Sequence, residues 1–262
     1  MLIGSPFRSF GTNLVVTDDA EQIERACADA WPAQIERPLG QWRLRAAGGF
    51  TGRANSALAI GDPGTTMGDA LRSVCDFAHA HGIDPVVQAI QDGPVERQLP
   101  ERGWRPYDEY ANGNEVSVLL GEVTEGSDDR VRVLDAPTPG WWRLTADTTE
   151  PTDAQRHVLT GGPLVGYGVA EVDGHTAGAV RGAVAGDVLL VARLAVDPGY
   201  RRQGLATALM AGIGGWAVAH GATRCVLQVS VGNTGALALY EGLGFREHHR
   251  YRYWVPWKDR AS

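Results

Sequence analysis

Asp197-Pro198-Gly199-Tyr200-Arg201-Arg202-Gln203-Gly204-Leu205-Ala206 is the stretch on which the reading of this 262-residue chain turns. It follows Val188–Val196, a run apolar on both alternating faces except at Arg193, which is the pattern of a central strand covered on both sides. Asp197-Pro198-Gly199 ends that strand, and from Gly204 the apolar positions Leu205, Leu209, Ile213, Trp216 and Ala217 recur at helical spacing until Gly221. The stretch is therefore a turn from a buried strand into a helix. A helix N-terminus carries unpaired amide N–H groups and the positive end of a dipole. A glycine-bearing loop there, with Arg201 and Arg202, suits phosphate and above all a pyrophosphate. Gly212, Gly214 and Gly215 each cost up to ~1 kcal/mol of propensity relative to Ala, which predicts that close packing holds this helix.

Working outward, Cys225–Val231 reads as a second strand, and Thr234–Leu243 as a second helix with Asn233 as N-cap and Gly244 as the C-terminal glycine. Upstream, Val131–Leu134 reads as a strand. Trp141–Leu144 and Asp153–Thr160 read as helical, and Val165–Val172 with Thr176–Val184 as a hairpin around Asp173-Gly174. The fold class is α/β, a mixed sheet flanked by helices. Gly121–Arg130 has the small, acidic composition of a solvated connection and follows the strand-like Glu115–Leu120, which divides the chain into residues 1–123 and 131–262. Leu99-x-x-x-Gly103-Trp104 resembles Tyr240-x-x-x-Gly244-Phe245 at one offset (244 − 103 = 141; 240 − 99 = 141). The same offset sets Asp92 opposite Asn233 and the strand-like Ile83–Ile90 opposite Arg224–Val231, after a helical stretch from Met67 to His79. Two similar halves in tandem are expected.

Composition narrows the partners. The net charge is −7, and all of it lies in residues 1–123, which hold 10 Arg against 17 acids (10 − 17 = −7); residues 124–262 hold 14 of each sign. No clustered positive charge suits nucleic acid or anionic lipid, and the acidic surplus of the first half suits a cationic amine. Cys27, Cys75 and Cys225 are widely spaced and without CxxC, which predicts neither a disulfide framework nor a metal site. Met1–Pro6 lacks the charge and apolar core of a leader, and the longest aliphatic run stops at Arg193, so no membrane segment and a cytoplasmic location are expected. There is no GxxxxGK[ST], HExxH or GxSxG, and Gly161–Gly168 does not follow the dinucleotide fingerprint.

Leu194-Ala195-Val196-Asp197-Pro198, the Arg201-x-x-Gly204-x-Ala206 loop and Asn233–Phe245 together resemble the GNAT superfamily of acyl-CoA-dependent N-acetyltransferases. The resemblance is strong over about residues 188–250, while residues 131–187 follow it by the order of elements. It implies two tandem GNAT-like domains, each a mixed central sheet flanked by helices. It implies acetyl-CoA as cosubstrate, a small-molecule amine as acceptor, and no metal. By the same resemblance, the amides from Arg201 through Gln203, Gly204, Leu205 and Ala206 to Thr207, with Arg202, bind the CoA pyrophosphate. The strand backbone at Leu194, Ala195 and Val196 meets the pantetheine, Asn233 completes the cofactor site, and Tyr240 protonates the departing thiolate. A phenol of pKa ~10 beside a thiolate of pKa ~8.5 suits that role.

Many members of the superfamily carry a glutamate near the position that Arg193 holds here. Glu171, Asp187, Glu247, His248, His249 or a water relay are the alternatives for a general base. The missing acid also supports a rival reading, a non-catalytic acyl-CoA-binding or sensing module. A protein or peptide amine is the alternative acceptor. In the first half, the offset of 141 sets Ile60 opposite Arg201, Pro63 opposite Gly204 and Leu99 opposite Tyr240, so this half is expected to be a degenerate copy that binds no CoA.

Overall fold

The computed structural model describes residues 12–123 and 126–257; Met1–Pro6, and Thr124 and Glu125 of the connection, lie outside them. Before the connection come helix α1 (Thr12–Ala30), strands β1 (Ile35–Leu39), β2 (Trp42–Ala46) and β3 (Ala57–Leu58), helix α2 (Met67–Ala80), and strands β4 (Val87–Ile90), β5 (Trp104–Pro106) and β6 (Glu115–Glu122). After it come β7 (Val131–Leu134), helices α3 (Pro139–Ala146) and α4 (Asp153–Thr160), strands β8 (Leu164–Val172), β9 (His175–Ala185) and β10 (Val188–Val196), helix α5 (Leu205–Val218), β11 (Arg224–Ser230), helix α6 (Thr234–Gly242) and β12 (Arg246–Pro256). The elements expected around the decisive loop are thus found. The strand expected from Ile83 is shorter and begins at Val87, since Pro85 has no amide to give a ladder.

All these strands join one mixed sheet in the order β1-β2-β3-β4-β12-β6-β11-β10-β9-β8-β7, with β5 pairing β12 off that path. The order does not follow the division of the sequence. Strand β6 precedes the connection, yet lies antiparallel between β11 and β12, pairing Val116 with Ser230 and Tyr251, and Leu120 with Val226 and Arg246. The far end of β12 in turn pairs with β4, Tyr251 with Ile90 and Trp254 with Val87, and with β5. Each half therefore receives a strand from the other.

Helices cover both faces. Helix α1 packs on β9 and β10, and its Ile23 and Cys27 share a core with Trp141 and Trp142 of α3, Val158 and Leu159 of α4, and the inner residues of β8, β9 and β10. On the opposite face Leu205, Leu209, Ile213 and Ala217 of α5 pack with Leu189, Val191 and Leu227. Here the glycines of α5 act as their sequence predicts: a Cβ on Gly215 would collide with the Gly126 carbonyl, and one on Gly212 with Val131. Helix α2 covers β2, β3 and β4 through Ala70, Leu71, Val74 and Phe77. Among the described residues no helix is long and apolar enough to cross a membrane.

One buried carboxylate ties the halves together. Glu24, 1% exposed on α1, accepts hydrogen bonds from Gln88 of β4 (2.6 Å) and Gln228 of β11 (2.9 Å), and meets His249 Nε2 of β12 at 3.3 Å. A buried charge is tolerable only when its lone pairs are so occupied.

A fragment of residues 131–262 would lack β6 and α1, leaving β11 and β12 with open edges and the α1 core exposed. Expressed alone, it should give circular dichroism and gel filtration of an unfolded or aggregated chain; mixed with residues 1–123, it should regain a cooperative thermal transition.

Candidate active site

The loop after β10 is built locally. Asp197 accepts the Gly199 amide on Oδ1 (3.1 Å) and the Arg143 guanidinium on Oδ2 (3.2 Å), which fixes the turn Pro198–Tyr200. Arg202 and Gly204 then both adopt left-handed backbone, φ +65° and +75°, and turn the chain into α5. Glycine takes this conformation without a Cβ clash. Gly204 is also the N-cap and offers no side chain, while the first helical bond runs from the Ala208 amide to the Gly204 carbonyl. The amides of Leu205, Ala206 and Thr207 are thus left without a cap at the positive end of a 14-residue helix.

Val196, Arg201, Arg202, Gly204, Leu205, Ala206, Thr207 and Asn233 line one cavity of about 690 Å³. Of the other residues singled out for the cofactor, Leu194 and Ala195 lie on the strand leading to it, and Gln203 gives its carbonyl to Arg130 Nη1 (3.1 Å). Tyr240 follows Ala236 and Leu239, two lining residues, on α6, but is itself outside the lining, 7% exposed with its ring 6.0 Å from that of Phe245. Burial, and then the neighbouring Cys225, push its phenol up to about 12.

The sheet opens beside this cavity. Strands β10 and β11 are parallel and paired from Val188 with Arg224 to Val191 with Leu227, and no further. On its other side β10 pairs β9 with a bulge between Ala192 and Ala195, where Arg193 takes φ +57°. Backbone from Ala192 to Val196 is therefore free on the β11 side. A bulge re-aims a side chain, and here it is that of Arg193.

Arg193 lines a second cavity, about 910 Å³, which shares the lining residue Asn233 with the first. Its walls come from both halves: Thr51, Gly52, Arg53 and Tyr110–Val116 from the first, Gln228, Ser230–Asn233, Tyr251 and Tyr253 from the second. The wall from residues 47–55 is shaped by Asn55, whose Oδ1 accepts the amides of Ala47 (2.7 Å) and Gly49 (2.9 Å), and whose Nδ2 donates to the carbonyls of Phe50 (2.8 Å) and Thr51 (2.9 Å). Sequence reasoning missed this wall, because its signal is a loop with no motif of its own.

Glu115 is the one carboxylate in that lining, and burial, which raises its pKa, is outweighed by hydrogen bonds from Arg250 (2.7 Å) and Arg252 (3.1 Å) that hold it below the usual range. None of the side chains considered as bases lines either cavity. Glu171 pairs with Arg132, Asp187 with Arg224, Glu247 with Arg250; His248 and His249 reach Asp19 and Glu24. The acidic surplus of the first half likewise does not face the cavity, apart from Glu115.

Residues 17–254 match the family described as Probable histone acetyltransferase Rv0428c C-terminal. The chain belongs to this family. Probable histone acetyltransferase Rv0428c of Mycobacterium tuberculosis is 32% identical over 238 residues, covering 88% of this chain and 72% of that protein. The uncharacterized N-acetyltransferase YobR of Bacillus subtilis is 26% identical over 259 residues, covering 88% and 98%. A GCN5-related N-acetyltransferase from Kribbella flavida shares the fold at a TM-score of 0.69 with 16% identity, covering 92% of this chain and 97% of that one. This member of the Rv0428c family is an acyl-CoA-dependent N-acetyltransferase with the GNAT fold, which sets aside the non-catalytic reading.

Arg201 is exposed, and its Nε makes only a long bond to the Val196 carbonyl (3.3 Å), so the guanidinium is available to an anion. A charge-assisted contact contributes ~1.5–3 kcal/mol, and Arg201→Ala should weaken acetyl-CoA binding roughly 10- to 100-fold by calorimetry without lowering the melting temperature.

Proposed function

We propose that this acetyltransferase transfers the acetyl group of acetyl-CoA to a small-molecule amine held in the cavity between the halves, by direct attack in a ternary complex. The observation that carries this reading is that the two cavities share Asn233 in their linings, past the end of the β10–β11 ladder. In this reading Arg201, Arg202, Gln203 and the amides of Gly204, Leu205, Ala206 and Thr207 hold the pyrophosphate. Backbone at Leu194, Ala195 and Val196 pairs with the pantetheine, and Asn233 and Tyr240 stand at the reacting end.

The amine nitrogen bonds to the thioester carbonyl carbon, the C–S bond breaks, the nitrogen loses a proton and the sulfur gains one. Tyr240, with its phenol near 12, holds its proton more tightly than a thiol of pKa ~8.5. It therefore gives that proton up only as the C–S bond breaks and charge develops on the sulfur, and regains one from solvent. No carboxylate in the acceptor cavity is suited to take up the amine's proton, as Glu115 is held ionised by two arginines. Arg53 and Arg193, both in the lining, disfavour an ammonium there, so the amine reacts as the neutral base.

The first half supports a reading as a second copy that has lost its cofactor site. Its parallel pair β3–β4 repeats β10–β11, and the Trp104 amide bonds the Leu99 carbonyl (3.1 Å) as the Phe245 amide bonds Tyr240 (3.0 Å), at the offset of 141. Helix α2, the counterpart of α5, is capped by Thr66, whose Oγ1 accepts the Asp69 amide (3.2 Å), and Asp69 sits in its first turn. A capped, acidic helix start repels pyrophosphate.

Turnover of acetyl-CoA with a panel of small amines and of lysine peptides should favour the small amines; a preference for the peptides would transfer the reading to a protein acceptor. Calorimetric titration with CoA should give one site per chain, and two would contradict the loss of the first site. Tyr240→Phe should leave CoA affinity nearly intact and lower kcat by roughly 10²-fold. Because the Tyr240 pKa is raised, the phenol stays protonated while the amine deprotonates. The wild-type rate should rise with pH and show no fall from this group below about pH 10.

A further inference from the structure

We infer that the acceptor amine carries an oxyanion of its own, a carboxylate or phosphate a few bonds from the nitrogen, and that Arg193 and Arg53 receive it. The inference rests on the reading of the second cavity as the acceptor site. Both guanidiniums line that cavity, and among the described residues neither has a carboxylate within ion-pair distance. They are held instead by neutral partners. Arg53 donates from Nη1 to Gln228 Oε1 (2.9 Å) and lies over the Trp31 ring at 4.3 Å, while Arg193 lies over Phe50 at 5.0 Å. Stacking on an aromatic face orients a guanidinium without neutralising it, and leaves its fork of donors for a planar anion.

A third cation adds to the field. Arg181 is fully buried behind the same Trp31 ring, 5.0 Å away, donates to the carbonyls of Leu159 (2.9 Å) and Gly161 (2.6 Å), and keeps Nη1 without a partner. Burial first, and the charge of Arg53 next, outweigh the opposing influence of Asp147 and Tyr110 and lower the pKa of Arg193 to about 10, so its charge is held at a cost that an arriving anion would offset. The backbone is also arranged for it: Arg193 occupies the bulge at φ +57°, a strained conformation for a non-glycine residue. The only opposing charge in the lining, Glu115, is saturated by Arg250 and Arg252.

Position sets the spacing within the acceptor. Arg193 immediately precedes Leu194–Val196, the stretch of β10 left unpaired beside β11. An anion on Arg193 is thus close to where the thioester would lie, and the attacking nitrogen must be only a few bonds away. Amino acids and amino phosphates have this form; a lysine-rich peptide, bringing further cations, does not.

The test compares matched pairs on the full chain: L-amino acids against their carboxamides, and phosphoethanolamine against ethanolamine. For the preferred pair, kcat/KM should be roughly 10-fold or more higher for the anionic member. Arg193→Gln should abolish that preference by raising KM for the anionic member far more than for its neutral counterpart, and Arg53→Gln should do the same. CoA affinity, read by calorimetry, reports that each variant is folded. Equal or better use of neutral or cationic amines by the wild type would overturn the inference while leaving the acetyltransferase reading intact, as would retention of the preference in both variants. If no amine of either kind is acetylated, the proposed reaction fails, and the inference is read from calorimetric binding of the same pairs to the CoA-loaded chain. Tighter binding of the anionic member, lost in the variants, sustains it; no difference refutes it. The two pairs distinguish carboxylate from phosphate.

Discussion

The ladder of backbone hydrogen bonds that sets β6 between β11 and β12 is the constraint on which the rest of the molecule depends. It carries residues 115–122 across the connection into the middle of the second half's sheet, and the reciprocal pairing of β12 with β4 and β5 carries the C-terminal strand the other way. Two consequences follow from this exchange. The halves become one sheet, and the space between their strands becomes a cavity whose walls neither half could supply alone. Arg53 reaching Gln228, and Glu24 bonding both Gln88 and Gln228, are possible only because the exchange fixes the two halves in register.

Within that frame, chemistry is divided by helix starts and by charge. Helix α5 begins at a glycine with no side-chain cap, just after two arginines, whereas α2 begins at Thr66 with Asp69 in its first turn. The same backbone device is open to an anion in one place and closed in the other. Beyond the loop before α5, the bulge at Arg193 interrupts the pairing of β10 with β9, which resumes at Ala195, and sets a cation in the lining of the cavity between the halves. In the proposed reaction these arginines present a positive wall to the incoming amine, which favours its neutral form.

Much of this was legible in the sequence, and for local reasons. The apolar run of β10 with its one arginine, the capping Asn233, the glycine at 204 and the periodicity of α5 depend on neighbours within a few residues, and each was found where expected. Arg201, Arg202 and Gly204 to Thr207, expected to hold the cofactor, gather at one cavity because they lie in a single turn. The strand exchange was not legible, since β6 reads as an ordinary strand at the end of the first half and its two partners lie more than 100 residues away. The acceptor wall was hidden for the same reason: Arg53 and Gln228 are 175 residues apart, and nothing local marks them as neighbours. Net charge misled for a physical reason as well. The acids of the first half lie elsewhere, while arginines held by aromatic rings and amides face the cavity.

A crystal structure of the chain with acetyl-CoA tests the central claim most directly. The account predicts the pyrophosphate against the amides of Leu205, Ala206 and Thr207, the pantetheine along the unpaired backbone of Leu194–Val196, and the acetyl group at Asn233, opening onto the cavity that Arg53 and Arg193 line. A cofactor bound at the start of α2, or an acetyl group directed away from that shared cavity, would contradict it.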